Sequence, residues 1–194
     1  MRAMERIGPD RETVLRAAAG DGVAFRALIE AWRGRVLGFA YRMTGDAASA
    51  EDLAQDVFLH LYQVLRKYDD ARPFAPWMRR VMTNVVLNRL RSDREPSLSL
   101  DSRPEGADLP ADPRSPDPAL QASASEDAAT VRERMAALPP AWRAVVALRY
   151  SEGLSVLEIA AALDVPENTV KTRLFRAREA LRASLQSVHG GGDR

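Results

Sequence analysis

Apolar positions recur at intervals of three and four along most of this chain, and nowhere do they alternate with period two for long enough to suggest a strand. The run Val23, Phe25, Leu28, Ile29, Trp32, Val36, Phe39 and Ala40 predicts a helix over about 22–43. The same periodicity predicts helices over about 46–67 and 75–93, with a shorter one from Glu12 to Ala18. These four should pack as one domain around Phe25, Trp32, Phe39, Leu53, Val57, Leu61, Trp77, Met82 and Val85. The helical pattern returns from Glu126 to Leu138, is interrupted by Pro139-Pro140, and resumes from Ala141 to Tyr150. A Glu152-Gly153 turn leads into a helix from about Ser155 to Leu163, whose apolar face is Ile159, Ala160 and Leu163. Pro166 biases Val165 away from helical geometry, and Asn168 or Thr169 is placed to cap a last helix starting near Thr169. Val170, Leu174, Ala177 and Leu181 form its buried stripe. The fold class is therefore all-α, with a second four-helix domain that ends in a helix-turn-helix.

Between the two helical blocks the composition changes. Residues 96–125 carry six prolines and five acids against two arginines, too little apolar surface to offset ordering entropy. The expected division is a helical domain over 1–95, a flexible acidic linker over 96–125, a helical domain over 126–187 and a disordered tail over 188–194. Fully extended, such a linker reaches on the order of 100 Å. That would let two DNA-binding domains sit roughly two duplex turns apart, about 70 Å.

The net charge of +1 over 194 residues hides local segregation. Between Arg79 and Arg94 there are five arginines and one acid, and the last helix is also basic. This pattern suggests two patches that face nucleic acid. On the last helix, a wheel of 3.6 residues per turn places Thr169, Thr172 and Arg176 opposite the buried stripe, with Arg173 on one flank and Lys171, Arg178 and Arg182 on the other. A helix of this kind fits the major groove, where Arg176 is long enough to reach guanine O6 and N7. Phe175 lies off the stripe. It is placed either to touch a thymine methyl or to pack on the preceding helix.

The absence of cysteine excludes a disulfide framework or thiolate metal site. The apolar runs are too short to span a bilayer and the first residues lack a signal-peptide core, so a soluble, cytoplasmic protein is expected. Asp52, Asp56 and His60 stack at i, i+4 and i+8, a spacing that a metal site or hydrolase could use. There is no HExxH motif, and surface carboxylates at helical spacing are ordinary. No enzyme activity, cofactor or metal is expected.

Two separate blocks resemble one family. Leu138-Pro139-Pro140 through Leu148-Arg149-Tyr150, Gly153-Leu154-Ser155, Glu158-Ile159-Ala160, Pro166, Thr169-Val170-Lys171 and Arg173 to Arg178 resemble region 4 of bacterial extracytoplasmic-function sigma factors. Asp46, Ala50 to Leu53, Gln55 to Phe58, Phe74, Trp77 and Asn84 resemble region 2 of the same sigma-70 family. The resemblance implies a dissociable subunit of RNA polymerase. Its N-terminal domain would dock on the clamp helices of the largest subunit and open the minus-ten element. The C-terminal domain would dock on the flap and read the minus-thirty-five element. An anti-sigma factor would restrain the chain until a stress or envelope signal arrives.

The family's polymerase-binding positions fall on Asp52, Gln55, Asp56 and Phe58, although Phe58 also suits the core. In the helix from Ala47 to Lys67, Leu53, Val57, Leu61 and Val64 face inward, while Asp52, Gln55, Asp56 and His60 share an outer acidic strip suited to a cationic partner. In the next helix, Arg80, Asn84, Asn88 and Arg91 recur opposite Met78, Met82 and Val86, a face that can hold phosphates and a displaced base of the minus-ten element. The family often carries an acid where this chain has Asn88. Trp77 serves either as a core anchor or as a stacking platform for a base. The minus-thirty-five candidates are Thr169, Lys171, Thr172, Arg173, Phe175, Arg176 and Arg178. The linker suits either a path along the RNA exit channel or a solvated tether. The rival reading is a stand-alone helix-turn-helix regulator.

Overall fold

Aspartates start three of the four described α-helices of the N-terminal module. Asp10, Asp21 and Asp46 each accept backbone N–H bonds from the first turn of the helix that follows, satisfying donors that have no partner within the helix. The computed structural model describes residues 9–92 and 126–189, with side chains described over 9–92 and 130–184. The elements are α1 (Arg11–Ala18), α2 (Gly22–Thr44), α3 (Ala47–Val64), a 3-10 turn (Leu65–Lys67), α4 (Phe74–Ser92), α5 (Glu126–Ala137), α6 (Pro140–Tyr150), α7 (Val156–Leu163) and α8 (Glu167–His189). Among the described residues there is no strand. Nor is any helix among them long and apolar enough to cross a membrane.

The central helix is α2, whose Leu28, Trp32, Val36, Phe39 and Met43 are wholly buried. It ends at Gly45, which adopts φ +77° and donates to the Tyr41 carbonyl at 2.7 Å; a side chain there would strain the left-handed backbone. Helix α3 packs Leu53, Val57 and Leu61 onto α2, and α4 completes the module with Met78, Met82 and Val86. Phe25, Trp77 and Val85, expected in the core, are half-buried members of its edge. Trp77 belongs to an aromatic group, 5.2 Å from Tyr68 and 5.7 Å from Phe74 between ring centroids.

In the C-terminal module, α6 opens at Pro139, whose carbonyl accepts from the N–H groups of Trp142 and Arg143 at 3.0 Å each. Pro140 follows in the first helical turn, where its missing N–H costs nothing. The last helix begins at Glu167, two residues before the expected start and ahead of the expected caps. Pro166 initiates this helix as well as ending the preceding turn. Its carbonyl accepts from Thr169 N and Val170 N at 3.0 and 3.3 Å, so Asn168 and Thr169 lie inside the first turn. The expected linker at 96–125 and residues 190–194 of the expected tail lie outside the described residues, while Val188 and His189 continue α8.

The two modules pack on each other, with α4 against α7 and α2 against α6, and one apolar cluster runs from Val14 to Leu181. Arg143 bridges the seam. It is 5% exposed, and its guanidinium donates to the carbonyls of Met43, Ala136 and Leu138. Met43 and Ala136 lie in the last turns of α2 and α5, where carbonyls lack helical partners and the helix dipole favours a cation.

Candidate polymerase and nucleic-acid interfaces

The outer face of α3 carries the first candidate surface. Asp52 and Gln55 are exposed, Asp56 is half-buried, and Phe58 is half-buried against the core. His60 is exposed on the flank of this face. Leu59 and Tyr62 were not singled out from the sequence, yet they are 56% and 63% exposed. Leu59 follows Asp52 by seven residues and Gln55 by four, which puts an apolar side chain one turn further along the same face. That spacing was readable, but a leucine in a helix is ordinarily assigned to the core. Asp52 and Asp56 also line a cavity of about 360 Å³ beside Arg89, Pro140 and Arg143, so this strip borders the seam between modules. Among the described residues no group of three or more His, Asp or Glu gathers as a metal cage.

The second surface is on α4. Arg80, Asn84, Asn88 and Arg91 are all exposed along one side, and Thr83, Met82 and Val86 are buried on the other. Arg80 reaches across the seam and donates to Asp164 at 2.8 Å. With side-chain exposures of 48% and 72%, this ion pair contributes at most about 1 kcal/mol. Apolar burial holds the seam more strongly than this pair does.

The third surface is the helix-turn-helix. Helix α7 starts in a reciprocal capping box: Glu158 N–H donates to Ser155 Oγ at 3.2 Å, and Ser155 N–H donates to Glu158 Oε2 at 2.9 Å. The turn before it is fixed by Arg149, which donates to the Leu154 carbonyl at 2.9 Å. Helix α7 ends at Asp164 in the left-handed conformation, φ 56°, and Val165 N–H donates back to the Ala160 carbonyl at 3.1 Å. These bonds aim α8. Val170, Leu174, Ala177 and Leu181 are buried beneath it. Lys171, Phe175 and Arg176 are exposed on its outer side, with Thr169, Thr172 and Arg173 half-buried at the flanks. Phe175 is 41% exposed, which leaves its ring open to a groove. Arg178 departs from the expected placement, since its Nε donates to the Tyr150 hydroxyl at 3.0 Å and ties α8 to α6.

The bond from Ser155 N–H, then that from its hydroxyl, holds the Glu158 carboxyl below the ordinary glutamate range. A lowered folded value stabilises the native state above the unfolded value, and the contribution is lost as pH falls through the folded value. Melting temperature is therefore expected to fall between about pH 6 and pH 3, less steeply in Glu158→Gln. Parallel profiles for the two proteins would remove the capping box from the cause.

Three interfaces of this kind in one chain narrow the identity, and comparison with known proteins decides it. Residues 28–95 match the family described as Sigma-70 region 2, and residues 128–181 match Sigma-70, region 4. The ECF RNA polymerase sigma factor SigW of Bacillus subtilis is 31% identical over 92% of this chain and 97% of its own length. The chain belongs to the ECF sigma factors. RNA polymerase sigma-H factor of Pseudomonas aeruginosa is 34% identical over 92% of the chain and 95% of its own length. Among solved structures, CnrH in complex with the cytosolic domain of CnrY is 27% identical with a TM-score of 0.63, covering 92% of this chain and 97% of that one. As a sigma factor, the protein binds core RNA polymerase and directs initiation at promoters. The region 2 match separates it from a stand-alone helix-turn-helix regulator.

Proposed function

We propose that the three faces divide the work of the sigma factor residue by residue. Asp52, Gln55 and Asp56, with Leu59 one turn further along the same face, dock on cationic clamp helices of the polymerase, and Phe58 supports them from the core side. Arg80, Asn84, Asn88 and Arg91 hold the backbone and a displaced base at the minus-ten element. Thr169, Lys171, Thr172, Arg173, Phe175 and Arg176 enter the groove at the minus-thirty-five element. Arg178 steadies α8 through Tyr150 as well as standing near the phosphates. The domain division expected from the sequence, 1–95 and 126–187 about a linker, is supported by the two family matches. The protein acts by binding, without catalysis, in the cytoplasm.

The observation that carries this reading is the outward polar strip of α3, where Asp52 and Gln55 are exposed beside two exposed apolar side chains of the same helix, Leu59 and Tyr62. Asp56→Lys is expected to weaken capture by core polymerase about tenfold or more while far-UV circular dichroism stays unchanged. Undiminished capture in a native gel shift would take this face out of the interface.

The packed arrangement represents the resting form in this reading. Arg80 on the minus-ten face lies 2.8 Å from Asp164 at the end of α7, whereas the two promoter elements are roughly two turns, about 70 Å, apart. The modules must separate to engage both elements. A partner polypeptide that prefers the packed form would restrain transcription. The likeness to CnrH, solved with the cytosolic domain of CnrY, supports an anti-sigma factor in that role, released by a stress or envelope signal.

A further inference from the structure

The seam encloses an arginine-lined cavity that none of these assignments uses. Its volume is about 260 Å³, and it is lined by Gly34, Arg35 and Arg42 of α2, Arg79 of α4, and Ser151 and Glu152 of the turn after α6. Three guanidiniums thus surround one carboxylate. The Glu152 side chain is 8% exposed and approaches Arg35 Nε at 3.9 Å, an ion pair too long for a hydrogen bond. Arg79 is only 6% exposed, and its buried Nε–H has no hydrogen-bond acceptor among the described residues. The charge of Arg79 also acts on Glu158, but that carboxylate is already held by Ser155. A Cβ on Gly34 would meet nothing within 4 Å, so this wall of the cavity is open space. Arg42 lies along the flat of α2 over Gly38, where a Cβ would stand 3.1 Å from its Nη1.

Three clustered guanidiniums with a single carboxylate among them leave a net positive field that an oxyanion offsets. Planar guanidinium forks match phosphate oxygens in bidentate fashion, and the Ser151 hydroxyl adds a further donor. The space greatly exceeds that of one water, whose share of liquid volume is about 30 Å³, so a polyatomic ligand fits. We propose that this cavity binds a small free phosphate-bearing anion of pyrophosphate size, held by Arg35, Arg42 and Arg79 with Ser151. Glu152 limits its affinity by occupying part of the positive field. The three arginines stand on α2 and α4 of the N-terminal module, while the C-terminal module contributes Ser151 and the opposing Glu152.

The test is calorimetric titration of the full chain with pyrophosphate at low ionic strength, repeated with Arg79→Gln, Arg42→Gln and Glu152→Gln. Wild-type protein is expected to bind one equivalent, and each arginine variant to bind about tenfold or more weakly. Glu152→Gln is expected to bind more tightly. Arg42 is exposed, so its variant keeps the test sound where Arg79→Gln fails to fold. Absence of binding to wild-type protein, or equal binding by wild type and Arg42→Gln, overturns the proposal, the latter by placing the anion elsewhere. A parallel arm uses a short single-stranded DNA. Competition between this DNA and pyrophosphate that Arg42→Gln abolishes supports a shared phosphate site, whereas binding of the DNA alone assigns these arginines to promoter phosphates and overturns a free-anion site. These readouts need no polymerase, so they stand apart from any failure of the polymerase-binding assignment.

Discussion

Truncating Trp32 to alanine is expected to destabilise the protein by about 3–5 kcal/mol. The side chain is wholly buried in the middle of α2, with the Phe74 ring edge-on at 6.1 Å between centroids and the Arg35 guanidinium 5.8 Å from its own ring centre. Removing it forfeits the transfer free energy of a large ring and leaves a cavity that a close-packed core closes only in part. Domains of this size are stable by only about 5–15 kcal/mol, so a large share of the total is at risk. Trp32→Phe should lose less than half as much. The phenyl ring keeps most of the apolar contact, and the substitution deletes an indole N–H that is buried without a hydrogen-bond partner among the described residues. Urea unfolding with unchanged denaturant dependence is the measurement. Equal losses for the two substitutions would show that ring volume is not what Trp32 contributes.

Arg176→Ala is expected to weaken discrimination at the minus-thirty-five element by about 1–3 kcal/mol, roughly 5- to 150-fold against a substituted base pair. Arg176 is exposed in the middle of the outer face of α8, opposite buried Leu174 and Ala177.

 Lys171 is exposed nearer the start of the same helix, and the proposed docking sets it against a phosphate. Lys171→Ala should therefore reduce affinity about equally on every sequence and lower the dependence of log affinity on log salt by about one. Arg178→Ala removes the bond to Tyr150 as well, so its effect should divide between phosphate affinity and the stability of α8. Binding of the polymerase complex to promoters with single base-pair changes separates these outcomes. Equal losses on all sequences for Arg176→Ala and Lys171→Ala would contradict the division between base reading and phosphate holding.

The helices were legible because an amphipathic helix writes its buried face into the spacing of apolar residues. Val170, Leu174, Ala177 and Leu181 are buried as that spacing requires, and so are Leu53, Val57 and Leu61. The start of α8 lies two residues before the expected position because Pro166 both breaks the turn and, through its carbonyl, opens the helix. The seam was not legible. It joins surfaces more than fifty residues apart in the chain, and local periodicity carries no information about such pairing. Its buried arginines did leave a trace, because Arg79 shares i, i+3, i+4 and i+7 spacing with Met82, Thr83 and Val86, all buried. Arg143 likewise precedes buried Val146 and Ala147 at i+3 and i+4. Charge disguised both as surface residues. The exposure of Leu59 went unmarked, although its neighbours at helical spacing, Asp52, Gln55 and Asp56, are polar.

The most direct test is run-off transcription by purified core polymerase on fragments of the native genome, with and without this protein, followed by sequencing of the RNA 5′ ends. The account predicts new start sites that share two short upstream elements, that appear only when the protein is added, and that fade with Asp56→Lys. Transcripts beginning at the same places in both reactions, with no retention of the protein by the polymerase, would contradict it.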